Sequence, residues 1–154
     1  GLFDDTRADG QLARADAVLE QAFALVDARL QHAPDDPYTR LLAGFLRKNQ
    51  VQHLDRTVGA DADVRGETLT LAKRLFATLL AEHEPRADTS DKAAFYAGHA
   101  HLGLGNLALL EGDPERAVAH IERGAALCPD APAMANDLAI ARRERERARR
   151  QAAS

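Results

Sequence analysis

The chain has 154 residues and a formal net charge of −4, long enough for one domain with a hydrophobic core but too short for two domains of ordinary size. Aromatic residues make up 5% of the chain and Trp is absent, so Ala and Leu supply most of the apolar surface, which favours helices over a β-sheet. The single cysteine, Cys128, excludes an internal disulfide framework.

The compartment is poorly determined by the sequence. No apolar run approaches the roughly 20 residues that cross a membrane, and the lone cysteine is compatible with the cytoplasm, which we favour. Residue 1 is Gly rather than Met, so we expect a processed product from which an upstream targeting segment can be missing.

The N-terminal part is predicted to be a leader followed by a long helix. Residues 1–10 are short, acidic and aperiodic, and we expect them to be flexible. From Gln11 to His32 apolar residues recur at helical spacing, and Pro34 to Pro37 end the helix. The face predicted to be buried contains Leu12, Ala15, Val18, Leu19, Ala22, Phe23, Val26 and Leu30.

Two further helices are predicted before residue 90. The first begins at Tyr38 and continues to Asn49 or Leu54, and the segment 56–62 forms a turn. The second extends from Asp63 to His83, and Pro85 with the polar run that follows it ends the helix.

The clearest pattern in the chain extends from Gly98 to Ala131. A helix that begins near Asp91, capped by Thr89 or Ser90, ends at Glu111. Gly112-Asp113-Pro114 then combines a left-handed residue, a helix cap and a helix-starting proline. A second helix follows, and Pro129 stops it. We expect an antiparallel hairpin in which Gly105, Ala117 and Gly124 allow close contact between the two helices.

The last predicted element starts at Ala131-Pro132 and contains Met134, Leu138 and Ala141 before it becomes fully polar. The chain would then form six helices, with a single domain over residues 11–141 and an Arg-rich helix end or tail over residues 142–154. That segment contains six Arg and two Glu residues between Arg142 and Arg150.

The Gly98–Ala131 stretch resembles the tetratricopeptide repeat, a helical hairpin of about 34 residues. The order and spacing of the family's signature are matched by Leu104, Gly105, Ala108, Gly112, Asp113, Ala117, Ile121, Gly124 and Pro129. Ala108 has the spacing of the signature but is small where the family often has Tyr, and His101 stands where the family often has Trp. The rest of the chain resembles the family only in degenerate form.

The resemblance implies an all-α fold of antiparallel hairpins stacked as a short superhelix. It also implies a scaffold or adaptor that binds a partner protein or peptide in a groove lined by the first helix of each hairpin, without catalysis. No cofactor, metal or enzymatic activity is expected.

Partner-binding residues follow from the same resemblance. In some members an Asn at the position of Asn106 binds the ligand backbone, and an amide can both donate and accept. His99, Leu102 and Asn136 are expected on the same face, and basic residues such as Arg40 and Arg47 could clamp a terminal carboxylate. An apolar partner helix against Leu102, Leu109 and Leu110 is the alternative.

Other chemistry finds little support in the sequence. His99 and His101 are two residues apart, about 200° around a helix, so they cannot chelate one metal. The segment 61–67 looks like a calcium loop, but Arg65 occupies a ligand position and Ala72 stands where a bidentate Glu is needed. Cys128 is expected to be a packing residue.

Two alternatives to partner binding stay open. The lone first helix could stack on a second copy of the chain, which would make the protein a self-associating assembly component. The Arg-rich tail could bind an anion such as nucleic acid or acidic membrane, although ion pairs of Arg142 with Glu146 and of Glu146 with Arg150 would explain it as a solvated helix end.

Overall fold

The computed structural model describes residues 2–154, without the side chains of residues 2–9 and 12. Over this part the chain is all-helical, with six α-helices packed against their neighbours and no strand, which confirms the predicted fold class. The first helix begins at Leu2 rather than at the predicted Gln11, so residues 2–10 of the predicted leader are helical. The elements are α1 (Leu2–His32), α2 (Pro37–Arg56), α3 (Ala62–His83), a 3₁₀ turn (Glu84–Arg86), α4 (Asp91–Leu110), α5 (Pro114–Leu127) and α6 (Pro132–Ala153).

The predicted helix-end signals are confirmed at both ends of α4 and at the start of α5. The Ser90 hydroxyl accepts the Ala93 amide at 3.2 Å, and the Asp113 carboxylate accepts the Arg116 amide at 3.2 Å. Gly112 between the two helices has a φ of 76°, a left-handed conformation that glycine adopts without steric cost. The tight connection is therefore set by the local sequence.

The chain divides into two compact units, Gly1–Ala72 and Lys73–Ser154, with the division inside α3. In the first unit α1 packs on α2, and the Asp36 side chain caps α2 through the Thr39 amide at 3.1 Å. Val26 is buried, but Val18 is 63% exposed and Leu25 is 70% exposed. The prediction that Ala15 and Val18 are buried is therefore wrong, because the packing of α1 on α2 leaves both side chains exposed.

The second unit is built on the α4–α5 hairpin, with α6 packed on α5 and touching α4. Glycines allow the close approach: a β-carbon at Gly105 would lie 2.5 Å from Ile121 Cγ1, and one at Gly124 would lie 2.8 Å from the Gly98 carbonyl oxygen. Side chains are fully or almost fully buried at Phe76, Leu79, Leu107, Ala117, Ile121 and Met134.

None of the helices that the structure describes is long and apolar enough to cross a lipid bilayer.

Candidate functional site

The polar end of the candidate site joins α4 to α6. The Asn106 side-chain amide donates to Asp137 Oδ2 at 3.3 Å, and the amide of Asn136 lies 3.5 Å from Asp137 Oδ1. Asn106 and Asp137 are half-buried, and Asn136 is exposed. Both predicted Asn residues are thus placed around a carboxylate that the sequence analysis did not single out.

An apolar groove lies between α4 and α6, about one helical turn beyond Asn106 and Asp137, which do not line it. Leu109 and Leu110 line it on one side and Ile140 on the other, with a volume of about 400 Å³. Ile140 is 37% exposed, and the Glu144–Arg147 ion pair at 3.3 Å is part of the groove wall. The other lining residues are Gly112, Pro114, Ala148 and Gln151. We use the name α4/α6 groove for this pocket together with Asn106 and Asp137, which lie about one turn from Leu110 and Ile140.

A repeat period could have revealed the α6 side of this groove. A step of about 34 residues carries Asn106 onto Ile140 and Gly103 onto Asp137. The step therefore places Ile140 at the position of Asn106, whereas Asp137 falls at the position of Gly103, which is buried against the Phe76 ring.

His99 and Leu102 are the other partner-binding residues predicted on α4, and neither has a side chain that is free to contact a partner. Leu102 is only 4% exposed, so its side chain belongs to the interior. His99 is half-buried, its Nδ1 lies 2.9 Å from the Phe95 carbonyl oxygen and its ring packs on the Phe95 ring.

Arg40 and Arg47, named for a carboxylate clamp, lie in the first unit and already have partners there. Arg40 is 2.9 Å from Asp35 and donates to the Pro34 carbonyl oxygen. Arg47 is 3.5 Å from the Asp27 carboxylate, and its guanidinium stacks 4.3 Å from the centre of the Phe23 ring. Within that unit these contacts hold α1, the α1–α2 turn and α2 together.

A network of titratable groups, which the sequence analysis did not identify, joins α4, α5 and the 3₁₀ turn. His101 Nε2 lies 3.0 Å from Glu84 Oε2, and His101 Nδ1 lies 3.1 Å from His120 Nδ1. The second Glu84 oxygen accepts from Arg123 at 2.9 Å. Because the two Nδ1 atoms face each other, only one of them can carry a hydrogen while the contact persists.

This network shifts two pKa values. Burial alone would raise the pKa of Glu84, but hydrogen bonds from Arg123 and His101 outweigh it and bring the pKa below 4.5. Burial lowers the pKa of His120 from 6.5, and the charges of His101 and Arg116 lower it further. The residues of this network are separated by up to 39 positions in the chain, so no local sequence motif predicts it.

The single thiol lacks the surroundings of a nucleophile. Burial raises the pKa of Cys128, whereas a reactive thiol needs a lowered one. The nearest imidazole nitrogen, His99 Nδ1, is 3.8 Å away and already faces the Phe95 carbonyl oxygen. A Cβ at Gly98 would overlap the Cys128 sulfur, so the thiol fills a gap between α4 and the end of α5.

The segment that looks like a calcium loop begins a helix instead. Asp61 Oδ1 accepts the Asp63 amide at 2.8 Å, and Asp55 pairs with Arg65 at 2.5 Å. His53 pairs with Asp16 at 2.9 Å. Among the described residues no group of three or more His, Cys, Asp or Glu side chains could hold a metal ion.

The Arg-rich segment is helical, and most of its arginines have carboxylate partners. Arg149 makes a bidentate pair with Glu115 at 2.8 and 3.1 Å, and Arg142 reaches Glu122 at 3.5 Å. Both partners lie on α5. The predicted Glu146–Arg150 pair is confirmed at 3.3 Å, whereas the predicted Arg142–Glu146 pair is wrong, because Arg142 reaches Glu122 on α5 instead.

Comparison of the chain with protein-family models, with curated proteins and with solved structures found no match. The class of protein that the geometry itself defines is a helical-hairpin protein with a groove between the first helix of one hairpin and the helix that follows that hairpin.

Proposed function

We propose that this protein is a non-catalytic scaffold of the tetratricopeptide type, which binds a segment of a partner protein in the α4/α6 groove. The observation that carries the proposal is the meeting of Asn106 with Asp137 beside an apolar groove lined by Leu109, Leu110 and Ile140. Hydrogen-bonding groups at one end can fix the register of a bound peptide segment, and an apolar groove can supply the affinity.

The small-residue packing of the second unit supports the repeat assignment. Gly105 and Gly124 stand where close helix contact leaves no room for a β-carbon. The Gly112-Asp113-Pro114 turn and the start of α6 at Pro132 fit a unit of about 34 residues. In such arrays the repeated first helices line the binding surface.

The proposal is tested by affinity capture from a lysate of the source organism. We expect Asn106→Ala and Ile140→Asp each to lose a partner that the unaltered chain retains. Asn49→Ala, at an exposed position of α2, is the matched control and should retain it. Thermal unfolding must show that all variants fold, and equal capture by every variant would refute the groove assignment.

Self-association is a second candidate function, favoured by one observation. Val18 and Leu25 on α1 are 63% and 70% exposed and lie two turns apart on one side of the helix. A second copy of the chain could cover them. Light scattering at high concentration should then give at least twice the mass of 16.7 kDa, and Leu25→Gln should lower it; a monomeric mass would exclude this candidate.

A further inference from the structure

In the α4/α6 groove, the Asp137 carboxylate has no counter-ion among the described residues. Its two oxygens contact the amides of Asn106 and Asn136, which are neutral donors and orient the carboxylate without cancelling its charge. None of the ion pairs among the described residues includes Asp137.

The neighbours on α6 do not supply a cation either. One turn before Asp137 are Ala133 and Met134, and one turn after it are Ile140 and Ala141. The next charged side chain on this face is Glu144, which already has Arg147 beside it at 3.3 Å. The polar end of the groove is therefore negative and partly shielded from water.

A partly buried carboxylate beside an apolar groove gains from a positive charge brought by a ligand. The interaction of two charges is several times stronger at a protein surface of effective dielectric constant about 20 than in water. The same field repels a carboxylate, so a segment that ends in its own C-terminus is a poor ligand for this groove. The chemistry of the site is therefore opposite to that of a carboxylate clamp.

Building on the proposed function, we propose that the partner segment carries a Lys or Arg side chain that pairs with Asp137, followed by an apolar side chain. The apolar side chain packs against Leu109, Leu110 and Ile140. The groove volume of about 400 Å³ is at the small end of the range of about 300–1,000 Å³ for ligand pockets, which suits a few side chains of one segment. Asn106 and Asn136 hold the carboxylate in the orientation that receives the cation.

The experiment is a selection of random twelve-residue peptides displayed on phage, performed on three forms of the full chain. These are the unaltered protein, Asp137→Asn and Asp130→Asn. Asp130→Asn removes the same charge from an exposed position in the turn before α6, and it is the matched control. In Asp137→Asn the amide oxygen still accepts a hydrogen bond from Asn106, so the fold should be preserved, and thermal unfolding checks this.

We expect the selected peptides to combine a Lys or Arg with a nearby apolar residue and to bind Asp137→Asn about tenfold more weakly, a difference of about 1.4 kcal/mol. Binding to Asp130→Asn should be unchanged. Replacing the peptide's basic residue by Gln should weaken binding to the unaltered chain and have little further effect on Asp137→Asn, as expected for a direct pair.

Other results would overturn the inference in distinguishable ways. Selected peptides that lack a basic residue, or that bind Asp137→Asn equally well, would overturn the charge pairing. If they still required Ile140, the proposed function would stand. Selected peptides indifferent to both Asp137→Asn and Ile140→Asp, or no selected peptides at all, would overturn the inference and the groove assignment together.

Discussion

Gly105 lies on α4 close to the backbone of α5, and its missing side chain allows the short helix separation there. A β-carbon at this position would be 2.5 Å from Ile121 Cγ1 and 3.1 Å from the Ala117 carbonyl oxygen. Ile121 is fully buried and cannot swing away. A second glycine, Gly66, also lies inside a helix, but an added β-carbon would meet nothing within 4 Å.

We therefore expect Gly105→Ala to reduce the free energy of unfolding by about 1–3 kcal/mol, because overpacking outweighs the gain in helix propensity of about 1 kcal/mol. Gly66→Ala should have no effect or stabilise the protein by up to about 1 kcal/mol. Urea unfolding followed by circular dichroism measures both changes. Equal effects of the two substitutions would show that the α4–α5 contact does not need glycine.

The burial of His120, with the charges of His101 and Arg116 nearby, predicts a dependence of stability on pH. The pKa of His120 is lowered in the folded state, so the unfolded chain binds more protons below the ordinary value of about 6.5, and stability falls as the pH drops through that value. Glu84, whose pKa is also lowered, adds a further loss below about 4.5.

We expect the free energy of unfolding to decrease between about pH 7.5 and 5.5, and His120→Gln to make this decrease smaller. Urea unfolding at several pH values measures the slope. Identical slopes for the two proteins would remove His120 as the cause.

Helix α6 is attached to α5 by two kinds of contact that differ in strength. Met134 is 1% exposed and lies against Gly124, whereas the Arg149–Glu115 pair is exposed, with 59% and 56% of the two side chains accessible. Removing a buried Met side chain costs about 2–5 kcal/mol, and an exposed ion pair contributes about 0.2–1 kcal/mol.

For this reason Met134→Ala should speed amide hydrogen exchange along α6 much more than Arg149→Gln does. The effect of Arg149→Gln should vanish at high salt, which screens exposed charges. Exchange followed by mass spectrometry of α6 peptides makes the comparison. A larger effect of Arg149→Gln would mean that charge pairing, rather than apolar packing, holds the helix.

The charge of the whole molecule bears on the anion-binding alternative. The chain carries a formal charge of −4, and arginines of α6 pair with Glu115, Glu122, Glu144 and Glu146. Binding to nucleic acid depends on releasing counter-ions with unpaired cations. Arginines that are already paired must first give up their carboxylates.

We accordingly expect no binding of a fluorescent duplex DNA at about 150 mM salt, where weak phosphate contacts are strongly reduced. Fluorescence anisotropy over a range of salt concentrations is the measurement. Tight binding with a steep salt dependence that disappears when residues 142–154 are deleted would instead establish the anion-binding function.

The features that could be predicted from the sequence are those set by interactions between residues close together in the chain. Asp113, Gly112 and Pro114 act within a few residues of one another, so the α4–α5 turn and its cap were readable from the sequence. The glycine contacts were also readable, because small residues at helical spacing are typical of helices whose backbones approach closely. The repeat resemblance predicted that Asn106 and Asn136 lie on one face. It did not predict the Asp137 carboxylate that both of them contact.

Three features depended on contacts between distant parts of the chain. Asp137 meets Asn106 across 31 positions, and Glu84 meets His101 and Arg123 across 17 and 39 positions. Periodicity shows that a helix has an apolar face but not which neighbour covers it, so Leu102 proved buried and Val18 exposed.

The sequence by itself determined the number of helices, most of their ends and the close contact between α4 and α5, because propensity, capping and steric exclusion act over a few residues. It did not determine where α1 begins, which is at Leu2 rather than Gln11. Only the tertiary structure decided which polar groups meet in the α4/α6 groove and that its polar end carries a carboxylate. These contacts depend on how α6 packs against the α4–α5 hairpin. That packing is determined by the apolar surface buried over the whole second unit.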